Sequence, residues 1–302
     1  MTATRCGYVA LIGAPNAGKS TLINQLVGAK VSIVSRKAQT TRARVRGIAI
    51  EGDAQIVFVD TPGLFQPKRR LDRAMLGAVW QGADEGDAII ALVDAKKEIG
   101  KASEDTEAML RALAARRAPC YLALNKIDLL ERSTLLALAK SLNDRHKFAA
   151  TYMISAEKGD GVDAMKKALG AAMPAGPWLY PEDQVSEAPL MMLAAEITRE
   201  KLFERLHDEL PYQTTVETES WTVRPDASAR IEQTIYVTRE SHKKIVIGEG
   251  GRVLKQIGIE ARKEIAEANE APVHLFLHVK VREKWLDDPE RYRAMGLEFP
   301  KD

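Results

Sequence analysis

Short apolar runs alternate with longer amphipathic stretches through the first 173 residues of this 302-residue chain. Because the runs are short and almost continuously apolar, they predict strands that are buried on both faces of a sheet. They occupy residues 7–13, 45–50, 55–60, 88–95, 120–126 and 151–156. The stretches between them have helical character and occupy residues 19–28, 72–86, 103–117, 133–146 and 162–173. Strands that alternate with helices predict an α/β domain with a mainly parallel sheet.

One pair of runs departs from this alternation. Only four residues separate 45–50 from 55–60, and so short a connection has no room for a crossover helix. We therefore expect these two strands to form an antiparallel hairpin at one edge of the sheet.

The pattern changes after residue 173. Residues 174–189 contain four prolines and predict a linker rather than a helix or a central strand. An amphipathic helix is predicted over about 190–210, followed by strands at 215–223 and 230–239, two helical stretches, and a strand at 273–281. The sequence thus predicts a first domain over 1–173, a linker over 174–189, and a small α+β domain over 190–302.

Composition adds only general constraints. The chain is 45% hydrophobic and 28% charged, as in folded soluble proteins, and its net charge of +2 indicates no particular partner. Its two cysteines, Cys6 and Cys120, fit a reducing compartment. We find neither an apolar stretch of about 18 residues nor the pattern of a signal peptide, so a cytoplasmic protein is expected.

A glycine-rich loop lies between the first predicted strand and the first predicted helix. GAPNAGKS, residues 13–20, matches the phosphate-binding pattern G-x-x-x-x-G-K-S/T in the context that the pattern requires. Its backbone N–H groups and the helix N-terminus would hold phosphates, Lys19 would reach the β- and γ-phosphates, and Ser20 would ligate Mg²⁺. The predicted nucleotide-binding residues here are Gly13, Ala14, Pro15, Asn16, Ala17, Gly18, Lys19, Ser20 and Thr21.

A second motif, DTPG, ends the third strand. Asp60 is predicted to hold Mg²⁺, and the Gly63 N–H is predicted to meet the γ-phosphate. Either Thr40 or Thr41, in the loop before the hairpin, would complete the magnesium shell, and we prefer Thr41. The predicted metal ligands are thus Ser20, Thr41 and Asp60, and the predicted nucleotide-binding set of this motif is Asp60, Thr61, Pro62, Gly63 and Leu64.

Two further strand ends predict that the base is guanine. In NKID, residues 125–128, an aspartate can accept hydrogen bonds from guanine N1–H and N2–H₂, and adenine lacks that donor pair. In ISA, residues 154–156, backbone N–H groups can meet the guanine O6. The residues concerned are Asn125, Lys126, Ile127, Asp128, Ser155 and Ala156. Each motif alone could be a turn or a strand end, but together, at the carboxyl ends of strands, they predict a GTP site.

The C-terminal domain carries another glycine cluster, in KKIVIGEGGRVLKQIG at 243–258. Val253 breaks the G-x-G-x-x-G pattern and no Gly-Lys-Ser/Thr follows, so a second nucleotide loop is not expected. G-x-x-G, from Gly248 to Gly251 between two helical stretches, is the signature of the KH domain, in which this loop clamps a nucleic-acid backbone. The predicted RNA-binding residues are Lys243, Lys244, Ile247, Gly248, Glu249, Gly250, Gly251, Arg252 and Lys255.

Charge distribution favours that interpretation. Residues 239–263 hold seven Lys and Arg against three Glu, whereas 190–302 as a whole holds 18 Lys and Arg against 21 Asp and Glu. A positive cluster on an otherwise acidic domain is typical of a nucleic-acid footprint. A solvated helix pair joined by a glycine turn is the alternative.

The motif set and the element order, with the stretches IGEGGRVLKQIGIEAR and VKVREKW, resemble the Era family of bacterial GTPases. The resemblance extends over nearly the whole chain. It implies a GTPase domain followed by a type II KH domain, hydrolysis of GTP to GDP and phosphate with Mg²⁺, and binding to the 3′ end of 16S ribosomal RNA during assembly of the small subunit. It also implies a monomer, contact of some members with the inner membrane face, and K⁺ held by Asn16. The catalytic set it implies is Lys19, Asn16, Thr41, Asp60 and Gly63.

Some residues depart from the expected patterns. Leu64 stands where Ras-type GTPases carry a water-orienting Gln, and Glu249 places a carboxylate in the loop that should meet phosphate. Two other functions therefore stay open: a regulatory GTPase whose C-terminal domain docks a protein or the membrane, and an RNA-binding module with a degenerate nucleotide site.

Overall fold

The computed structural model groups the chain into two compact units. The first unit contains residues 1–32, 41–187 and 293–302, and the second contains 33–40 and 188–292. The residues that the structure describes are 4–35, 37, 40–42, 45–64, 67, 70–100, 103–283, 285–294 and 297–300. The domain boundaries inferred from the sequence stay a prediction.

A six-stranded sheet organises the first unit, with the strand order β2-β3-β1-β4-β5-β6. The strands are β1 Arg5–Gly13, β2 Val45–Glu51, β3 Ala54–Asp60, β4 Ala88–Asp94, β5 Cys120–Asn125 and β6 Ala150–Ile154. Every pairing is parallel except that of β2 with β3, which is antiparallel and lies at the edge of the sheet. The predicted mainly parallel sheet with one edge hairpin is confirmed.

Helices cover both faces of this sheet, as the continuous burial of its strands requires. They are α1 Lys19–Val27, α2 Arg70–Glu85, α3 Glu104–Leu113, α4 Arg132–Arg145 and α5 Val162–Ala172. On one face, α1 and α5 pack against alternate strand residues such as Leu11. On the other face, α2, α3 and α4 pack against their neighbours in sequence, such as Ile12.

The proline-rich segment 174–187 groups with the first unit and contacts β2, the edge strand, and its neighbour β3. Gln55, fully buried in β3, accepts the N–H groups of Leu179 and Tyr180 at 2.8 and 3.0 Å. The Ile48 N–H of β2 donates to the Val185 carbonyl at 2.9 Å. The segment therefore satisfies part of the exposed edge of β2, which would otherwise offer unpaired backbone groups.

The second unit is built on a three-stranded sheet in the order β7-β8-β9. Its elements in chain order are α6 Leu190–Arg205, β7 Thr214–Val223, β8 Ala229–Val237, α7 Glu240–Ile247, α8 Arg252–Ala268 and β9 Val273–Val281. β7 is antiparallel to β8, and β8 is parallel to β9. A final helix, α9, covers Pro289–Ala294.

One detail of this unit differs from the sequence expectations. The first helix ends at Arg205 rather than near Leu210, because Leu206 has extended backbone while its side chain stays buried in the core. Trp285 is 1% exposed and donates from Nε1 to the Gln213 carbonyl at 3.2 Å, so it belongs to the core of this unit. Within the ranges given above, no helix is both long and apolar enough to cross a membrane.

Candidate nucleotide site and candidate nucleic-acid interface

The loop 13–20 joins β1 to α1, and its glycines are required by close contacts. A Cβ on Gly13 would lie 2.4 Å from the Leu92 carbonyl oxygen, and one on Gly18 would lie 2.3 Å from Asn125 Nδ2. Gly18 also has φ +100°, which side-chain-bearing residues rarely adopt. The loop thus leads directly into the N-terminus of α1, where backbone N–H groups favour anions.

Lys19 is buried at the start of α1. Its ammonium donates to the Gly13 and Ala14 carbonyls at 3.0 and 3.1 Å, so the side chain lies back along the loop. Burial lowers the pKa of Lys19 to about 8, while the carboxylate of Asp60 opposes that shift. A buried ammonium at this place is suited to a polyanionic ligand, which would replace the missing hydration.

Three oxygen-bearing side chains meet at the end of β3. Ser20 Oγ lies 2.9 Å from Asp60 Oδ2 and 2.9 Å from Thr41 Oγ1, and Thr41 Oγ1 lies 3.4 Å from the same carboxylate oxygen. Thr40 Oγ1 donates instead to the Lys37 carbonyl at 2.8 Å. The geometry therefore brings Thr41, and not Thr40, to the predicted metal ligands.

These residues fit a divalent cation. Asp60 is fully buried, and its Oδ1 has no hydrogen-bond partner among the described residues. Burial raises the pKa of Asp60, and Lys19 and the hydroxyls of Ser32, Ser20 and Thr41 act against that rise. A buried carboxylate oxygen beside two hydroxyls is an oxygen donor set of the kind that Mg²⁺ prefers, and a cation would stabilise the ionised form.

Ser32 belongs to this cluster although sequence reasoning missed it. Its hydroxyl donates to Asp60 Oδ2 at 2.7 Å. Asn24 of α1 holds Ser32 in place, since Asn24 Oδ1 accepts the Ser32 N–H at 2.9 Å and Nδ2 donates to the Ser32 carbonyl at 2.7 Å. Nothing in the sequence marks a lone serine outside the strand ends, so no local signal could have identified it.

The DTPG motif packs closely against the phosphate loop. The Leu64 N–H donates to the Gly13 carbonyl at 3.0 Å, and a Cβ on Gly63 would lie 2.9 Å from Pro15 Cα and Pro15 N. Leu64 is 6% exposed and packs in the hydrophobic core with Ile12. An apolar side chain in the core has no group with which to orient water.

At the end of β5, side chains of the NKID motif form hydrogen bonds with the phosphate loop, with the end of β4 and with the segment after β6. Asn125 Nδ2 donates to the Ala17 carbonyl at 2.8 Å, and Asn125 Oδ1 accepts the Ala156 N–H at 2.9 Å. The Lys126 ammonium lies 2.9 Å from the Asn16 carbonyl and 2.6 Å from Asp94 Oδ2. Asp94 was also missed, but it ends β4, and the position of the other motifs at strand ends could have indicated it.

Asp128 follows on a short 3₁₀ turn, Ile127–Leu129. A hydrogen bond from the Ser155 side chain lowers the pKa of Asp128, with a smaller contribution from Lys158, whose ammonium lies 3.5 Å away. Asp128 is thus held as an ionised acceptor beside the Ser155 side chain. That arrangement matches the pair of donors on the guanine edge.

The glycine loop of the second unit joins α7 to α8. The chain leaves α7 after Ile247 through Gly248, at φ +73° and ψ +168°, and α8 begins after Gly251, at φ +77°. A Cβ on Gly248 would lie 2.5 Å from Val253 Cγ2, whereas Gly250 and Gly251 have nothing within 4 Å of that position. Gly248 therefore closes the turn, and the other two glycines leave their backbone open to a ligand.

Charged and apolar side chains flank this loop. Lys244, Arg252 and Lys255 are exposed, and so is the carboxylate of Glu249. Lys243 is partly buried, with its ammonium 4.0 Å from Glu240. Ile245 and Ile259 are 56% and 44% exposed, so the two helices that flank the loop present some apolar surface to solvent. They were not predicted, although apolar residues off the buried face of an amphipathic helix could have indicated them.

Known domain families match both parts of the chain. Residues 8–126 match a family model described as a 50S ribosome-binding GTPase, and residues 209–286 match a KH domain. The GTPase Era of Afipia carboxidovorans is 62% identical over 99% of this chain and 96% of its own length. The GTPase Era of Rhizobium meliloti is 59% identical over 99% of this chain and 94% of its own length.

Solved structures give the same result over the whole chain. Era in complex with MgGDPNP and nucleotides 1506–1542 of 16S ribosomal RNA is 37% identical, with a TM-score of 0.90, over 97% of this chain and 99% of that one. A variant of Aquifex aeolicus Era bound to GDP and AlF₄⁻ is 36% identical, with a TM-score of 0.89, over 97% and 99% of the two chains. The chain described here belongs to the Era family of GTPases, with a GTPase domain followed by a KH domain.

Proposed function

We propose that this protein is a GTP-hydrolysing switch that binds the 3′ end of 16S ribosomal RNA through its KH domain and assists assembly of the small ribosomal subunit. The observation that carries the proposal is the cluster of Ser20, Thr41 and Asp60, with a buried carboxylate oxygen that has no partner among the described residues. A degenerate nucleotide site would have no reason to keep that costly arrangement.

In the proposed hydrolysis, water attacks the γ-phosphate and GDP leaves. Bound Mg²⁺ would neutralise phosphate charge, and Ser20, Thr41 and Asp60 are the residues that would hold it. Lys19 supplies a second positive charge, and the Gly63 N–H supplies a hydrogen-bond donor for the γ-phosphate. Since Leu64 lies in the core, the water must be positioned by groups other than a side chain at that place in the sequence.

We also infer that Asn16 helps to bind K⁺ beside the phosphates. Asn16 has φ +63°, which turns the loop tightly at this residue, and its carbonyl is anchored by Lys126. Replacement of K⁺ by Na⁺ should then slow hydrolysis in the wild type, and Asn16→Ala should remove the difference. Equal rates in the two salts for the wild type would argue against a potassium site.

The RNA-binding part of the proposal rests on the G-x-x-G turn. The open backbone of Gly250 and Gly251 can approach a phosphodiester closely, and Lys244, Arg252 and Lys255 add positive charge around it. The exposed Ile245 and Ile259 supply apolar surface against which bases can pack. A protein-docking role for this domain would not call for a basic cluster on an otherwise acidic domain.

The test is co-sedimentation with small ribosomal subunits, in GDP and in a non-hydrolysable GTP analogue, for the wild type and Gly251→Asp. We expect binding that is stronger with the GTP analogue and is lost in the variant, in which a carboxylate faces the RNA backbone. Binding that is the same for the wild type and the variant, and the same with either nucleotide, would favour the protein-docking alternative.

Oligomeric state and location complete the proposal. We infer a cytoplasmic monomer that makes peripheral contact with the inner membrane, as the family resemblance implies. Sedimentation velocity of the pure protein, and flotation with vesicles of bacterial lipids, test the two inferences separately.

A further inference from the structure

One carboxylate oxygen of Asp60 accepts hydrogen bonds from three hydroxyl groups of the first unit. Ser32 Oγ lies 2.7 Å from Asp60 Oδ2. Ser20 Oγ and Thr41 Oγ1 lie farther from the same oxygen, at 2.9 and 3.4 Å. The other oxygen, Oδ1, is buried and has no partner among the residues that the structure describes. The three donors thus bind one oxygen and leave the other available to a ligand.

Ser32 differs from the other two donors in its relation to a bound cation. Ser20 and Thr41 are predicted metal ligands, so their hydroxyl oxygens would be shared between the carboxylate and the cation. Ser32 is not a predicted ligand, and its hydroxyl can donate to Asp60 whether or not a cation is present. Ser32 is also only 3% exposed, so water has little access to this hydrogen bond. Ser32 can therefore fix the carboxylate independently of the metal.

A single side chain of α1 holds the backbone around Ser32. Asn24 Oδ1 accepts the N–H groups of Val31 and Ser32, each at 2.9 Å. Asn24 Nδ2 donates to the Ser32 carbonyl at 2.7 Å. An amide side chain both accepts and donates, so it can bind both kinds of backbone group in one segment. Three hydrogen bonds thus fix Ser32, although it lies outside any helix or strand.

The helix that carries Asn24 also supplies Ser20. The two residues are four positions apart in α1, so they lie on the same side of the helix, about 6 Å apart along its axis. The Gly28 N–H donates to the Asn24 carbonyl at 2.9 Å and completes the last turn of this helix. One helix therefore positions two of the three hydroxyl groups around Asp60, Ser20 directly and Ser32 through Asn24.

We propose that Ser32 is a positioning residue for the magnesium site, because its hydroxyl fixes the Asp60 carboxylate and leaves Oδ1 available to the cation, while Asn24 acts through Ser32. This inference rests on the proposed function and adds a residue to its metal site. A carboxylate free to rotate about its Cβ–Cγ bond would lose conformational entropy when it binds the cation. With Ser32 in place, that entropy is lost on folding, and the site is preorganised for the metal.

The test measures Mg²⁺ binding to the full chain in the presence of GDP. The Mg²⁺ concentration that half-maximally slows release of a fluorescent GDP analogue reports metal affinity without any hydrolysis. Loss of a hydrogen bond to a metal-binding carboxylate typically weakens metal binding by about 10- to 100-fold. We therefore expect this concentration to rise by about tenfold or more in Ser32→Ala.

Thr106→Val is the matched control. The Thr106 hydroxyl is also buried in the first unit, but it donates to a different carboxylate, that of Glu98, at 2.6 Å. Its loss should leave the Mg²⁺ requirement of GDP binding unchanged. An equal rise in Thr106→Val and Ser32→Ala would overturn the inference, because the effect would then follow from the loss of any buried hydroxyl.

Nucleotide affinity without metal separates positioning from damage to the fold. In EDTA, Ser32→Ala should bind GDP as tightly as the wild type does, since Ser32 is proposed to act only on the metal site. Excess Mg²⁺ should also restore kcat for GTP in this variant. A GDP affinity that falls equally with and without Mg²⁺ would overturn the inference, because the variant would then have lost the nucleotide site as a whole.

A second variant tests the role of Asn24. Asn24→Ala places a good helix former in α1, and it should raise the Mg²⁺ requirement while the Ser32 hydroxyl is still present. Because Asn24 is proposed to act through Ser32, the double variant should need no more Mg²⁺ than Ser32→Ala alone. If Ser32→Ala does not fold, Asn24→Ala carries the test by itself.

Two results would contradict the proposed roles. An unchanged Mg²⁺ requirement in folded Ser32→Ala would overturn the role of Ser32, and additive effects in the double variant would overturn the link from Asn24. The wild type provides a separate check. Mg²⁺-dependent GDP binding without any GTP turnover would overturn the proposed hydrolysis and not the role of Ser32, because GDP release requires no hydrolysis.

Discussion

Among single side chains, Asp128 is the residue that should select the base. Its ionised carboxylate, held by Ser155, can pair with two guanine donors, and Asp128→Asn replaces one acceptor with a donor. We expect GTP affinity to fall by about 100-fold, with xanthosine triphosphate preferred, because xanthine carries a carbonyl in place of the guanine amino group. Titration of both nucleotides checks this, with Asp105→Asn on the exposed surface of α3 as control. Unchanged GTP affinity would contradict the base assignment.

His242, on α7, provides a second prediction from one side chain. Arg239 Nε donates to His242 Nε2 at 2.7 Å, so Nδ1 carries the proton and faces Thr238 Oγ1 at 3.0 Å. Burial, and then the charge of Arg239, lower the pKa of His242 below its ordinary value of 6.5. The folded protein therefore resists protonation of a group that the unfolded chain protonates readily.

The sign of the pH effect follows from that difference. Above pH 6.5 both states are neutral at this residue, and below it the unfolded chain takes up a proton first, so stability falls as the pH falls. We expect the free energy of unfolding to drop as the pH falls below about 6.5, and to drop less in His242→Gln. His146 in the first unit shifts the same way, so wild type and variant are compared at each pH. Parallel curves would contradict the prediction.

At the level of helices and turns, the three glycines of the G-x-x-G loop should respond differently to substitution. Gly248 has a backbone conformation that is almost restricted to glycine, and a Cβ there would meet Val253. Gly250→Ala, which has open space around its Cβ, should lose about 1–2 kcal/mol of stability because its backbone is left-handed. Gly248→Ala should lose about 1–3 kcal/mol more than Gly250→Ala. Urea unfolding of the two variants measures the difference. Equal losses would mean that Gly248 does not close the turn.

The strands were predicted more closely than the segments between them. Continuous apolar runs such as 88–95 and 120–126 predict buried strands, and the observed β4 and β5 lie within them. Helix ends were harder, as α6 shows, because Leu206 continues the apolar pattern while its backbone leaves the helix to reach the core. Tertiary packing decides such an end, and local pattern does not.

Residues of the candidate site could likewise be predicted only where the signal is local in the sequence. Motifs that are contiguous in sequence, such as residues 13–20, 60–63 and 125–128, predict their own local geometry. Ser32 does not, since its partner Asp60 is 28 residues away. No periodicity connects residues at that separation, so only the folded structure could identify it.

Over the full length of the chain, charge is distributed so that RNA affinity should depend on a few residues. The net charge of the chain is only +2, while residues 239–263 contain seven Lys and Arg against three Glu. Each phosphate contact on single-stranded RNA contributes about 0.7 to the slope of log affinity against log salt. Lys244→Ala or Arg252→Ala should each reduce the slope by about 0.7 if each neutralises one phosphate.

Glu249 allows the same principle to be tested in the opposite direction. Its carboxylate is exposed on the loop that is expected to approach phosphate, so Glu249→Gln should raise RNA affinity at low salt and change the slope little. Filter binding of a 3′-terminal 16S fragment to the full chain, over a series of salt concentrations, measures both quantities. Lys140→Ala, an exposed residue of α4, serves as control, because loss of a positive charge from the first unit should leave the slope unchanged. An equal effect of Lys140→Ala and Lys244→Ala would mean that RNA responds to net charge alone, and the glycine loop would lose its place as the RNA contact.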